Sequence, residues 1–94
     1  MRVRRAGKSY AHPLIILIAS PNHQSISRFG VSASRAVGGA VSRNRAKRRI
    51  RAAIHSYIPT VKSGWDIILI ARAPLVDAEW PRLVEALAGL FNRA

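Results

Sequence analysis

Residues 28–51 carry the sequence RFGVSASRAVGGAVSRNRAKRRIR, in which a strand-like repeat gives way to a helical one. Over residues 28–34 every second residue is apolar, which predicts a β-strand with one buried face. The pair Gly38-Gly39 interrupts that alternation. A helix is then predicted over residues 40–58, because Pro59 lacks the backbone donor that a further helical turn would need.

The predicted helix has an apolar stripe and a cationic face. At about 100° per residue, its apolar positions fall on one side. These positions are Ala46, Ile50, Ala53, Ile54 and Tyr57. The side chains of Asn44, Arg45, Arg48 and Arg51 point broadly away from this stripe, with Lys47 and Arg49 at its two margins. The stripe therefore predicts packing against the rest of the fold, and the cations face outward.

Two more strands and a second helix are predicted around this segment. An apolar run predicts a buried strand over residues 12–19, and another predicts a central strand over residues 65–71. One option is that the strand at 65–71 pairs parallel to the strand at 28–34. Helical spacing of apolar residues predicts a helix over residues 78–93, with Asp77 able to cap its start. At 94 residues, the whole chain 1–94 is expected to form a single domain.

The positive charge is concentrated in the first two-thirds of the chain. The net charge is +12, and residues 1–65 hold 13 Lys or Arg without a single Asp or Glu. Residues 66–94 hold three Arg and all four acids. Residues 1–8 form a separate basic cluster that is interpreted as a loose arm or as the last turn of a short helix. A net positive charge of this size predicts a polyanionic partner.

Composition excludes several classes of protein. Apolar residues make up 49% of the chain, which is too many for a disordered basic tail. The lack of cysteine excludes disulfides and Cys-based zinc sites, and suits a reducing cytosol. The longest apolar stretch, residues 13–19, is far shorter than the roughly 20 residues that cross a bilayer.

The cationic helix face has two interpretations. Lysine and arginine often only solvate a helix, but such faces usually include acids at i to i+4 spacing, and no acid occurs near this helix. Its neighbouring cations therefore repel one another unless an external anion offsets them. Arginine, which outnumbers lysine five to one within residues 43–51, suits bidentate contacts to phosphate. These features favour nucleic-acid binding, with Asn44 able to contact a ribose hydroxyl or a base edge.

The second face of the strand at 28–34 is also open to two interpretations. Its residues are Arg28, Gly30, Ser32 and Ser34. Small polar side chains there would let a nucleic-acid backbone approach the sheet closely. They are also ordinary on a solvent-exposed strand face, and the strand alone favours this simpler interpretation.

Catalysis by the chain itself is not expected. A two-metal nuclease needs several clustered carboxylates, and the sequence contains four acids in total. The histidines, His12, His23 and His55, lack a metal-ligand spacing. Gly38-Gly39 is not followed by the Lys-Ser/Thr of a nucleotide-binding loop. No catalytic residue and no protein-held metal are therefore predicted.

The segment from Val41 to Arg51 resembles the signature of the bacterial ribonuclease P protein subunit family, centred on Arg43-Asn44-Arg45. The resemblance extends to most of the chain. Further segments that look like family elements are residues 29–35, residues 66–72, and residues 7–9 and 12–13 at the entry to the first strand.

This resemblance implies an α+β fold, a small two-layer sandwich with a mixed β-sheet. It also implies an unusual left-handed βαβ crossover formed by the strand at 28–34, the basic helix and the strand at 65–71. The sequence by itself favours the common right-handed form. The arm at residues 1–8 would correspond to a shortened version of the family's N-terminal helix.

The resemblance further implies that the chain is the protein subunit of an enzyme whose catalytic RNA cuts the 5′ leader from precursor tRNA. Its partners would be that RNA and precursor tRNA, with Mg²⁺ bound mainly by the RNA. Residues expected to contact RNA are Arg43, Asn44, Arg45, Lys47, Arg48, Arg51 and Arg35. Residues expected at a leader cleft are Ser32, Ser34, Arg28, Ile16 and Ile18. A cytoplasmic location is expected, with no membrane and no small-molecule substrate.

Two other functions stay open at this point. A ribosomal or RNA-assembly protein would bind structured RNA without a processing role, and would not prefer precursor tRNA over mature tRNA. A free-standing nuclease would cleave RNA by itself, and the small number of carboxylates argues against it.

Overall fold

Within the part of the chain that the structure describes, there are four strands, and the two stretches of helical periodicity form two helices. The computed structural model describes residues 8–55, 57–60 and 64–93. The strands are β1 (Lys8–Ala11), β2 (Ile15–Pro21), β3 (Arg28–Ala33) and β4 (Trp65–Ala71). The helices are α1 (Ala40–Ile54) and α2 (Trp80–Arg93), with short 3₁₀ helices at Arg35–Val37, Ile58–Thr60 and Ala73–Asp77.

The strands form one mixed sheet in the order β1-β2-β4-β3. β2 pairs antiparallel with both β1 and β4, and β3 pairs parallel with β4. The predicted mixed sheet and the central position of β4 are confirmed, as is its parallel pairing with β3. α1 is the connection between these two parallel strands, and the handedness of this crossover stays a prediction.

Both helices pack on the same face of the sheet. Alternate residues of the strands, including Ile15 and Leu17 of β2 and Leu69 of β4, join buried side chains of the helices in one hydrophobic cluster. α1 contributes Ala46, Ile50, Ala53 and Ile54, and α2 contributes Leu83, Ala86, Leu87 and Leu90. The predicted α+β sandwich of two layers is confirmed, because the helices form one layer and the sheet the other.

The start of the sheet differs from the sequence prediction. β1 was not predicted, because its residues are mostly exposed and only Tyr10 packs against the core. β2 begins at Ile15 rather than at residue 12, since the His12 N–H donates to the Ile15 carbonyl at 2.9 Å and closes a turn. Of the predicted basic arm, residues 1–7 lie outside the described residues, and Lys8 belongs to β1.

The helix ends also differ in detail. α1 ends at Ile54, and Pro59 lies in the following 3₁₀ helix rather than directly after α1. α2 begins at Trp80, and its first turn is closed by the Leu83 N–H, which donates to the Glu79 carbonyl at 3.1 Å. The prediction that Asp77 caps this helix is wrong, because Asp77 ends the preceding 3₁₀ helix.

Candidate nucleic-acid interface

One side of α1 presents polar and cationic side chains to solvent. We call this surface the basic face, and it consists of Arg43, Asn44, Arg45, Lys47, Arg48 and Arg51. All of these residues are exposed except Lys47, which is half-buried. The helix carries no acid in its first turn, and its cations make no ion pair within the described residues. The charges that the sequence predicted to face outward therefore do so without an internal counterion.

Arg49 is different from the other cations of α1. Its guanidinium Nη1 donates to the carbonyls of Leu75 at 2.7 Å and Val76 at 3.1 Å, and its Nη2 donates to the carbonyl of Ala78 at 2.5 Å. The sequence placed Arg49 at a margin of the apolar stripe and did not include it among the RNA-contacting residues. The structure shows that its donors are used inside the protein.

The sheet face opposite the helices is not covered by another element among the described residues. The pairing registers place Ile16, Ile70 and Ser32 in one row across β2, β4 and β3, and Ile18, Ile68 and Gly30 in the next. We call these six residues the open face. The predicted leader-cleft residues Ile16, Ile18 and Ser32 therefore share one surface. Ser32 is exposed, Ile16, Ile68 and Ile70 are half-buried, and Ile18 is buried with 7% of its surface exposed, so the isoleucines form an apolar floor of which Ile18 is the least accessible part.

The open face includes two residues that the sequence analysis did not select, Ile68 and Ile70. The sequence predicts a central strand here without distinguishing its two faces, because residues 67–71 are all apolar. Their spacing of two residues was the feature of the sequence that placed them together, since every second residue of a strand lies on the same face. Half-burial of both side chains agrees with a face that the helices do not cover.

The end of the sheet nearest the start of α1 carries Ser34, Arg35 and Arg72. The Ser34 N–H donates to the Ala71 carbonyl at 3.0 Å, so Ser34 lies just beyond β3 and is half-buried. Arg35 is exposed at the start of the 3₁₀ helix that leads toward α1. Arg72 is an exposed cation immediately after β4. It was not among the predicted site residues, and its position at the end of a strand is the feature of the sequence that pointed to it.

The turn into α1 requires glycine at position 38. Gly38 has φ 119°, a conformation that side-chain-bearing residues rarely adopt, and its N–H donates to the Arg35 carbonyl at 3.2 Å. This turn brings the chain from the edge strand β3 directly into the helix that carries the basic face. The open face and the basic face are therefore joined by a short, conformationally defined connection.

Arg28 lies at the opposite end of the sheet and is paired. Its Nε and Nη2 donate to Asp66 Oδ1 and Oδ2 at 2.9 and 2.7 Å, and Asn22 Nδ2 donates to Asp66 Oδ1 at 2.9 Å. Hydrogen bonds from Arg28 and then Asn22 lower the pKa of the Asp66 carboxyl, and the Asp66 carboxylate raises the pKa of Arg28. Arg28 therefore already has an internal counterion, and its place in the leader cleft stays a prediction.

Comparison with known proteins agrees with this geometry. Residues 1–94 match the profile of the family described as Ribonuclease P. The ribonuclease P protein component of Roseiflexus castenholzii is 40% identical over 94 residues, which cover 99% of this chain and 77% of the relative. The chain belongs to the ribonuclease P protein family. It is accordingly the protein subunit of ribonuclease P, an endoribonuclease.

Solved structures of this family share the fold. The RNase P protein of Staphylococcus aureus has a TM-score of 0.82 at 29% identity, covering 97% of this chain and 84% of that protein. The RNase P protein of Thermotoga maritima has a TM-score of 0.83 at 26% identity, covering 98% and 87%. The sandwich described above is therefore the fold of known ribonuclease P proteins.

The described residues of this family member do not fit a magnesium site. No group of three His, Cys, Asp or Glu side chains among them could hold a metal ion. The buried carboxylate, that of Asp66, already accepts hydrogen bonds from Arg28 and Asn22. We therefore derive no step through a metal held by these residues. None of the helices that the structure describes has both the length and the apolar character needed to cross a membrane.

The pairing of Asp66 gives the ribonuclease P protein a specific pH dependence. Since folding lowers the Asp66 pKa, its contribution to stability is present above the ordinary pKa of about 3.9 and is lost as pH falls through the lowered value. We expect Asp66→Asn to make the free energy of unfolding less dependent on pH below about pH 4. Urea denaturation from pH 7 down to pH 2.5 measures this, with Asp77→Asn as the control for net charge. Identical pH dependence in the wild type and Asp66→Asn would rule out this effect.

Proposed function

We propose that the basic face of α1 binds the catalytic RNA of ribonuclease P and that the open face of the sheet holds the 5′ leader of precursor tRNA. The protein would then assist removal of the leader during tRNA maturation. The observation that carries this proposal is the basic face itself, a group of cations with no ion pair among the described residues. We also propose a cytoplasmic location, because both proposed partners would be cellular RNAs.

Electrostatics supports the choice of RNA for the basic face. Cations at i to i+3 and i to i+4 spacing on one helix repel each other by about 0.2–0.5 kcal/mol per pair. An RNA backbone replaces this repulsion with attraction and releases condensed counterions. The planar guanidinium also matches a phosphate with two parallel donors, which a lysine ammonium cannot do. Arg45 and Arg48, both exposed, can offer this geometry.

The open face supports a different kind of contact. Its described strand residues supply apolar isoleucine side chains and the hydroxyl of Ser32, while Tyr10 and Phe29 pack against the opposite, helix-covered side. A single-stranded leader could lay its sugars and bases on the apolar floor and donate a ribose hydroxyl to Ser32. Because no aromatic side chain of the strands lies on this face, the contact would discriminate little between bases.

We propose that the chemistry of cleavage takes place on the RNA. The described side chains provide no metal cluster. The Asp66 carboxylate is held by Arg28, which leaves it poorly placed to act as a base. The Mg²⁺ ions needed for phosphodiester hydrolysis would accordingly be bound mainly by the catalytic RNA. The protein would contribute affinity for the precursor and screening of phosphate charge.

Reconstitution with the catalytic RNA and a variant of the open face tests these two roles together. Adding the wild-type protein at low Mg²⁺ should increase cleavage of precursor tRNA, and the precursor should bind more tightly than mature tRNA. Ser32→Glu places a carboxylate on the open face, where it repels a leader phosphate. We expect this change to weaken precursor binding by about fivefold to tenfold, equivalent to about 1 kcal/mol, and to leave mature tRNA binding unaltered.

Ser25→Glu provides the matched control, because Ser25 is exposed in the connection between β2 and β3, outside the open face. It changes the net charge by the same amount and should retain the preference for precursor. A protein that failed to stimulate cleavage, and that bound precursor and mature tRNA equally, would instead be an RNA-coating protein. Equal losses in Ser32→Glu and Ser25→Glu would show that the open face does not hold the leader.

A further inference from the structure

The contacts of Arg49 form a fixed bridge between α1 and the segment that precedes α2. Three main-chain carbonyls, of Leu75, Val76 and Ala78, accept hydrogen bonds from two nitrogens of one guanidinium. A planar guanidinium donates from two nitrogens held apart, whereas a lysine ammonium carries all three of its donors on a single nitrogen. The carbonyls lie at the carboxyl end of the 3₁₀ helix Ala73–Asp77 and at the residue that caps it, Ala78.

The segment that receives Arg49 is itself firmly held. The Leu75 side chain is fully buried in the core. The Leu75 N–H donates to the Arg72 carbonyl at 2.9 Å, and the Ala78 N–H donates to the Leu75 carbonyl at 3.2 Å. Arg49 is therefore attached to a part of the protein that is anchored by both packing and backbone hydrogen bonds. A bond from α1 to this segment fixes α1 with respect to the core.

The apolar contacts of α1 restrain its rotation less well. Two of its four buried residues, Ala46 and Ala53, are alanines, which interdigitate little with the sheet. Rotating a helix by about 20° moves a point about 6 Å from its axis by about 2 Å. A shift of that size breaks hydrogen-bond geometry. Small rotations of α1 would therefore displace the basic face relative to the open face.

We propose that Arg49 is a positioning residue that sets the rotation of α1, so that the basic face and the open face engage one RNA complex at the same time. This inference rests on the proposed function of the two surfaces. Arg49 itself does not contact RNA. Its loss should weaken the advantage of precursor over mature tRNA, which requires both surfaces, while the number of phosphates contacted by the basic face stays the same.

Two variants of Arg49 separate its geometry from its charge. Arg49→Lys keeps the charge and loses the fork, and Arg49→Met loses both. We expect the preference for precursor to fall by about threefold to tenfold in both variants, and the slope of log affinity for the catalytic RNA against log salt to stay within about 0.3 of the wild type. Arg48→Met should instead flatten that slope by about one unit. Arg82→Lys on α2 is the control for Arg49→Lys, because it makes the same replacement at another arginine.

The orientation of α1 is measured without RNA by spin labels at Ala52→Cys on α1 and Glu85→Cys on α2, since the chain has no cysteine of its own. Arg49→Lys should shift or broaden the label-to-label distance by about 2 Å, and Arg82→Lys should not. Circular dichroism and urea denaturation establish that each variant is folded. If only Arg49→Met is unfolded, the Arg49→Lys results decide.

Three outcomes would overturn the positioning role. The first is that Arg49→Lys leaves both the preference for precursor and the label-to-label distance unaltered. The second is that Arg49→Met flattens the slope of log affinity against log salt by about one unit. The third is that both variants fail to fold, which would assign Arg49 to stability alone. A wild-type protein that failed to stimulate cleavage would contradict the proposed function but leave the label distances valid. The two failures are therefore distinguishable.

Discussion

Replacing both Arg45 and Arg48 with alanine is expected to weaken binding to the catalytic RNA by about 100-fold or more. Each exposed guanidinium is expected to contribute about 1.5–3 kcal/mol through charge-assisted hydrogen bonds to phosphate, and about 1.4 kcal/mol corresponds to tenfold in affinity. Both side chains are exposed and unpaired within the described residues. If α1 neutralises ~5 phosphates, log affinity should fall with log salt at a slope of about −4.

The salt dependence distinguishes direct phosphate contacts from indirect effects. Arg45→Ala alone should flatten the slope by nearly one unit, and the double variant by nearly two. Arg82→Ala removes one exposed arginine from α2, away from the basic face, and should leave the slope unchanged. Filter binding or fluorescence titration between 50 and 300 mM salt gives each slope. A salt-independent wild-type affinity would exclude the basic face as the RNA-binding surface.

The elements that carry the proposed site could be predicted from the sequence because their signals are local. The alternation at residues 28–34 and the helical stripe from Ala46 to Ile54 each reflect the geometry of one element. The direction in which the cationic side chains of α1 point follows from the same helical period. The predicted RNA-contacting residues of α1 are consequently all exposed, apart from the half-burial of Lys47.

The separate role of Arg49 could not be predicted, because it depends on contacts distant in sequence. Arg48 and Arg49 are adjacent identical residues, and one is exposed while the other is half-buried. The carbonyls that bind Arg49 follow it by 26 to 29 residues. Periodicity placed Arg49 at the margin of the apolar stripe. Its partners became evident only once the 3₁₀ helix Ala73–Asp77 was seen beside α1.

The open face was only partly predicted, for a related reason. Ser32 was assigned to the correct face from the alternation of β3, but residues 15–19 of β2 and 67–71 of β4 are all apolar, and the polar residues of these strands, Ser20 and Asp66, lie outside those runs. Which isoleucines lie beside Ser32 depends on strand register. The pairing of Ile16, Ile70 and Ser32 in one row is a property of the assembled sheet.

Replacing Ile50 with alanine is expected to lower the free energy of unfolding by about 2–5 kcal/mol. Ile50 is fully buried beneath α1, next to Arg49 and Arg51, and the other large buried side chain of this helix is Ile54. Truncation removes apolar contact and leaves a cavity between α1 and the sheet. Because small domains are stable by only about 5–15 kcal/mol, this loss is a large fraction of the total. Urea denaturation followed by circular dichroism measures it.

Val41→Ala is the matched control on the same helix. Val41 is 81% exposed, so its truncation removes little buried surface, and alanine has the higher helix propensity. We expect its unfolding free energy to lie within about 0.5 kcal/mol of the wild type. A loss as large in Val41→Ala as in Ile50→Ala would mean that burial under α1 is not what stabilises the helix.

RNA should mask part of the Ile50→Ala defect if α1 is the binding element. A ligand that binds only the folded state stabilises it by about 2.7 kcal/mol at 100 times its dissociation constant. The variant should therefore show a lower melting temperature than the wild type when free, and should recover much of it at saturating catalytic RNA, while its salt slope stays unaltered because no phosphate contact is removed. A variant that melts at the same temperature with and without RNA would show that α1 does not hold the RNA. This measurement joins the packing of Ile50 in the core to the function of the basic face above it.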